Sequence, residues 1–227
     1  TYRQVRDSLE FYLVRAKLRT LEFAPQDALA EFEHQLRERR FTHEPAVWYG
    51  IARAQLQLGR TGEAEKALGQ ARKLAPADPM FDVLAAEIRQ AEKDLAGATH
   101  IYREAFKRYP NDEAIALGLI AVLQLQGQNE AALQIIEKRL RSGGVRDPKL
   151  YKLQAHSYAA LGKTVQSRRA TAELYALNGQ TQAAVEQLEL AQREAKNFYD
   201  QSMIDTRLKA LRIQVLEERK TAGQSPF

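Results

Sequence analysis

PAVWYGIARAQLQLGRTGEAEKALGQARKLAPAD, residues 45–78, runs directly into PMFDVLAAEIRQAEKDLAGATHIYREAFKRYPND, residues 79–112. Placed over one another, and over residues 113–146, at a shift of 34, the stretches align Trp48 with Asp82 and Ala116. The same shift aligns Ala64 with Ala98 and Ala132, Leu68 with Tyr102 and Ile136, and Pro76 with Pro110. Small residues recur where two helices must nearly touch and large apolar ones where the gap must be filled. Proline stands where the second helix of each pair stops. A chain built this way stacks each unit on its neighbours and has no size limit set by a single core.

The punctuation extends outward from these units. In 45–78 the first helix is predicted over roughly Pro45–Leu58 and the second over roughly Glu63–Leu74, with Gly59 as the left-handed residue between them. Asp78 is a natural N-cap and Pro79 a natural first helical residue for the next unit. The third unit turns at Gly127 and closes at Gly143 and Gly144 instead of proline. Asp147 and Pro148 then open a fourth pair whose turn glycine, Gly162, comes 35 residues after Gly127, and Gly179 follows after only 17. A half-period step means that one helix, about Val165–Asn178, is the second of one pair and the first of the next. Inside the fourth pair Ala155, Tyr158 and Ser167 take the repeat positions, and Ala172, Tyr175, Ala184, Leu188 and Ala191 satisfy the pattern again.

Upstream, residues 11–44 read as a degenerate unit with Leu18, Leu21, Ala30 and Leu36 in place and Pro25 where glycine is expected. Its first helix is expected from about Val5. Downstream, Tyr199, Met203, Ile204, Leu208, Leu211 and Val215 mark one amphipathic helix, a polar-backed cap of the kind terminal repeats need. The whole chain, 1–227, is thus expected to be one solenoid: 1–44 N-terminal helix and degenerate repeat; 45–78, 79–112 and 113–146 regular repeats; 147–197 repeats sharing a helix; 198–220 capping helix; 221–227 disordered tail.

A period of 34 with this punctuation resembles the tetratricopeptide repeat (TPR). The resemblance implies an all-α fold, a right-handed superhelical solenoid of antiparallel helix pairs with a C-terminal capping helix. Composition agrees: 44% of the 227 residues are hydrophobic, helix formers dominate, and there are only 12 Gly and 7 Pro. The net charge of +5 is the small difference between 34 basic and 29 acidic residues. Short clusters such as Arg37, Arg39 and Arg40, or Arg168 and Arg169, lie beside acids and form no sustained stripe, so nucleic acid is not the expected partner. No run reaches the length of a membrane span; the longest, Ala114–Leu125, is interrupted by Gln124. Cysteine is absent, which excludes disulfides. Thr1 in place of Met, with no signal pattern after it, reads as a processed chain or a fragment of a longer one.

Catalytic patterns are missing. A zinc-hydrolase helix carries H-E-x-x-H, with two His on one face and a Glu to activate water. His43-Glu44 is followed by Pro45-Ala46-Val47, and His34, His43, His100 and His156 never fall within chelating distance on one helix. No phosphate-binding loop occurs: Gly162-Lys163-Thr164 lacks its upstream glycine and sits in a helix-to-helix turn. No catalytic, cofactor-binding or metal-ligating residue is therefore assigned, and no cofactor is expected in this chain.

What remains is a groove. The first helices of successive pairs are expected to line a concave face with Tyr49, Arg53 and Gln57, then Met80, Val83, Glu87 and Gln90, then Leu117, Ala121 and Gln124, then Lys152 and His156. This mixture suits either an extended or helical peptide or packing against another domain of the same protein. Tyr49 and Arg53 are favoured as contacts because such side chains dominate binding hot spots. The carboxylate clamp of chaperone-binding TPR proteins needs Lys and Asn at set positions; Tyr49, Arg53, Val83 and Glu87 stand there, so that clamp is absent.

Four stretches resemble a narrower family. Arg6-Asp7-Ser8-Leu9-Glu10-Phe11-Tyr12-Leu13-Val14-Arg15-Ala16-Lys17-Leu18-Arg19 is similar to the segment joining protease and repeats in BepA-like periplasmic zinc metalloproteases. Asp147-Pro148-Lys149-Leu150-Tyr151 with the shared-helix run Leu174–Ala191, and Ile204-Asp205-Thr206-Arg207-Leu208-Lys209-Ala210-Leu211-Arg212, are similar to that family's C-terminal half. The resemblance implies a C-terminal recognition region of a two-part protein whose HtpX-like peptidase domain, with its zinc, lies outside this chain. It also implies a periplasmic location and a role in outer-membrane protein assembly and quality control, with the protein's own protease domain and assembly components as partners. The alternative is a free-standing TPR scaffold or adaptor of a multiprotein complex.

Overall fold

The structure, a computed structural model, describes residues 8–142 and 147–223; among these there are twelve α-helices and no strand. They group into two compact units, one up to Val122 and one from Leu123. The first holds α1 (Leu9–Glu22), α2 (Pro25–Arg37), α3 (Glu44–Gln57), α4 (Thr61–Leu74), α5 (Pro79–Ala91), α6 (Leu95–Arg108) and most of α7 (Glu113–Leu125). The second holds the end of α7, α8 (Asn129–Ser142), α9 (Pro148–Ala160), α10 (Thr164–Leu177), α11 (Thr181–Glu194) and α12 (Phe198–Gly223).

Several of the helices start and stop for a local reason. Asp78 Oδ1 accepts the backbone N–H of Met80 and Asp147 Oδ1 that of Lys149, both at 2.8 Å, ahead of Pro79 and Pro148 in the first helical position. Gly59, Gly127, Gly162 and Gly179 have φ between 68° and 75°, the left-handed conformation a helix stop needs. Behind Gly59 the N–H of Arg60 closes onto Gln55 O at 2.9 Å. Arg39 and Lys93, at φ 51° and 63°, perform the same stop without glycine.

The small positions let the helices approach. Ala64, Ala98, Ala132 and Ala184 are wholly buried. Gly50, inside α3, lies so close to α2 that a Cβ there would come 2.5 Å from the Phe32 ring. Gly118, two repeats further on, meets the Tyr102 ring in the same way. Glycine is thus retained inside two helices, against its poor propensity, because an aromatic ring occupies the space.

The first unit's expected register needs correction. Leu18, Leu21 and Ala30 are exposed and Leu36 is half-buried; the buried positions are Leu13, Ala16, Thr20, Ala28, Leu29 and Phe32. Pro25 starts α2 after a two-residue turn where the regular units have three, so Ala28 and Phe32 precede their counterparts Ala64 and Leu68 by 36 residues. The longer connection over 38–43 restores the phase before α3.

In the second unit α10 packs against both α9 and α11. Ala172 of α10 joins Ala184, Leu188 and Ala191 of α11 and Ile204, Leu208 and Leu211 of α12 in one core. Two members of the expected α12 stripe are corrected: Tyr199 and Met203 are exposed, because the core contact begins one turn later at Ile204. α12 also continues through 221–223, read above as tail. The proposed start at Val5, the closing Gly143-Gly144 pair and residues 224–227 lie outside the described residues.

Candidate protein-binding surfaces

In the first unit, side chains expected to face a ligand instead hold one repeat to the next. Arg53 donates through Nη1 to Glu87 Oε2 at 3.1 Å, 34 residues along, and through Nε to Thr20 Oγ1 at 3.4 Å, 33 residues back. Gln57 Nε2 donates to Thr20 O at 2.9 Å. Tyr49 is 1% exposed, with its ring 6.1 Å from that of Phe81 and the Arg53 guanidinium 6.0 Å from its centroid. Burial pushes its phenol up to about 12, partly offset by the Arg53 charge. Tyr49 is therefore a core residue, and Val83 is buried as well. Met80, Gln90, Leu117 and Ala121 are half-buried, and Gln57 retains exposure.

A second device in this unit centres on Asp82, which replaces Trp48 in the alignment. Its buried carboxylate accepts from Arg72 Nη2 and Arg108 Nη2, each at 2.9 Å, tying the ends of α4 and α6 to α5.

In the second unit Gln124 is likewise occupied: its Nε2 donates to Leu153 O at 2.8 Å and Ser157 Oγ at 2.7 Å. Lys152 and His156 are exposed. The expected groove residues thus divide among buried or half-buried packing positions, internal links and exposed groups.

The open concavity of this unit lies elsewhere, between α9, α10 and α12, with a volume of about 540 Å³. Tyr151, Gln154 and Tyr158 line one side and Met203, Thr206 and Arg207 the other. The Tyr158 hydroxyl donates to Glu137 Oε1 at 2.7 Å; burial first, then that bond and the Glu137 charge, push the phenol up to about 12. Arg207 is fixed by two bonds to Glu173, at 2.7 and 2.9 Å, and Arg169 by Asp200 at 3.1 Å. Its charges thus neutralise one another, leaving aromatic, thioether and amide surface, and the volume is that of an ordinary ligand cleft. The spacing of Tyr151 and Tyr158, seven residues apart on one helix face, was the available signal. The α12 half depends on tertiary packing, which no local pattern reports.

Among the described residues no group of three His, Cys, Asp or Glu is placed to hold a metal ion. No described helix is long and apolar enough to cross a membrane.

Comparison with known proteins agrees with the helix-pair architecture. A tetratricopeptide repeat protein from Parabacteroides merdae ATCC 43184 superimposes with a TM-score of 0.52 at 14% identity, covering 89% of this chain and 83% of that one. BtubC (BKLC) from P. vanneervenii gives 0.57 at 15% identity, covering 90% and 95%. These likenesses concern the fold alone. Cellulose synthase operon protein C of Pseudomonas fluorescens (strain SBW25) is 27% identical over 112 residues, which is 49% of this chain but only 9% of that relative's length. The tetratricopeptide repeat family matches residues 20–88 and 90–156, more than half of the sequence. With the fold, the 34-residue register and these matches in agreement, the chain belongs to the tetratricopeptide repeat family.

Proposed function

We propose that this chain is a non-catalytic protein-binding module that holds a segment of a partner against the second unit. The observation that carries this is the groove between α9, α10 and α12, whose charges are paired internally and whose remaining surface is Tyr151, Tyr158, Gln154 and Met203. Aromatic and thioether side chains with a few amides suit a peptide held by apolar contacts and placed by hydrogen bonds.

On the finer level, the module serves as the recognition part of a periplasmic zinc metalloprotease engaged in outer-membrane protein assembly and quality control. Support comes from the resemblance of Arg6–Arg19, the shared-helix region and Ile204–Arg212 to that family. Zinc and catalysis would belong to a peptidase domain outside these residues. The coding sequence tests this reading: an H-E-x-x-H helix encoded ahead of Thr1 supports it, and an array encoded without a peptidase refutes it. The purified chain should cleave no unfolded protein, with or without added zinc.

The second reading, a scaffold or adaptor, is favoured by the match to a cellulose synthase operon protein. It predicts the same absence of turnover but no encoded peptidase.

A further inference from the structure

Several arginines in the first unit are spent on carboxylates: Arg53 on Glu87, Arg72 and Arg108 on Asp82, Arg89 on Glu65 and Glu92. One concavity instead gathers arginines that are not. A pocket of about 440 Å³ between α1, α2 and the 38–43 connection is rimmed by Arg15, Arg19, Arg39, Arg40 and His43. No carboxylate lines it among the described residues. Arg19 is paired with Glu31 at 3.1 Å, whereas Arg15, Arg39 and Arg40 are exposed and form no ion pair among the described residues. Beneath the rim Phe32, Ala46 and Val47 are almost fully buried, and the Tyr12 ring lies tilted against His43 with centroids 4.7 Å apart. Three guanidinium groups with no ion pair among the described residues, set around one concavity, form a site complementary to a ligand with several negative charges.

The geometry points to this pocket as a docking site for an acidic peptide segment whose neighbouring carboxylates meet the arginine rim. This rests on the protein-binding reading but uses a surface separate from the second unit's groove. Guanidinium forks favour carboxylates bidentately, and several of them around one concavity favour a segment with several carboxylates over a single small anion.

Arg39 supplies the test. It stands at φ 51°, where four other helix stops carry glycine, so Arg39→Gly removes the charge while relieving backbone strain. The probe is a fluorescein-labelled random Glu-Tyr copolymer, with a Lys-Tyr copolymer and inorganic phosphate as further arms. Wild type is compared with an Arg39→Gly/Arg40→Gln double variant and with a Lys196→Gln/Lys209→Gln variant of equal net charge. Expected is binding of the Glu-Tyr copolymer alone, weakening steeply between about 50 and 300 mM salt. The arginine variant should bind about five- to tenfold more weakly with an unchanged or higher melting temperature, and the lysine variant as wild type. Equal loss in the two variants, no binding of the acidic copolymer, or full competition by millimolar phosphate each overturns the proposal. Loss confined to changes in the second unit's groove would overturn it while leaving the protein-binding reading intact.

Discussion

The same substitution, glycine to alanine, should have opposite effects at two helix-interior positions. Alanine favours a helix over glycine by about 1 kcal/mol. At Gly69, inside α4, an added methyl meets nothing within 4 Å, so Gly69→Ala should stabilise by about that amount. At Gly50 the methyl would lie 2.5–2.7 Å from three atoms of the Phe32 ring. That ring is 5% exposed and cannot swing aside without parting α2 from α3. Overpacking of a rigid ring costs about 3 kcal/mol at the upper end of such changes. Subtracting the propensity gain leaves Gly50→Ala destabilised by about 2 kcal/mol, so the two variants differ by about 3 kcal/mol. Urea unfolding followed by far-UV circular dichroism on wild type and both variants measures the difference. A Gly50→Ala protein as stable as wild type, or both variants shifting in the same direction, would refute the packing of α2 on α3 described above.

Ala98→Leu or Ala132→Leu should each cost about 1 to 3 kcal/mol by overpacking the contact within a helix pair, whereas Ala96→Leu, on an exposed face, should leave the melting temperature unchanged. Tyr49 and Tyr158 have phenols raised from 10.0 to about 12 in the fold. The stability tied to the neutral form is therefore complete below pH 10 and lost as pH rises through about 12. Denaturant midpoints measured across that window should fall, and Tyr158→Phe should flatten part of the fall. Asp82→Asn should loosen the ends of α4 and α6 together, seen as faster amide exchange near both Arg72 and Arg108.

How far the fold could be read in advance varies along the chain. Where a unit carries its own stops, as at Gly59 or Asp78, sequence spacing located the turns, because left-handed glycine and an aspartate cap are local requirements. The half-period step to Gly179 was legible for the same reason. In the first unit the register slipped by two residues, because Pro25 can begin a helix as readily as it can end one. The surfaces were harder to foresee. Tyr49 and Arg53 sit at positions that face outward in an isolated helix, yet the neighbouring repeat supplies Phe81 on one side and Thr20 and Glu87 on the others. Side chains 33 or 34 residues apart meet only after stacking. The Tyr151–Arg207 groove and the Arg15–Arg40 rim likewise join distant segments.

The claim that the second unit holds a partner segment is tested most directly by photocrosslinking in cells that express the chain from its native gene. A benzoyl-phenylalanine is placed singly at Gln154 or Thr206, inside the groove, or at the exposed positions Lys138 or Gln182. Crosslinks to one discrete protein from Gln154 and Thr206, absent from Lys138 and Gln182, are the predicted result. Adducts equal at all four positions, or absent from the groove positions, would contradict it.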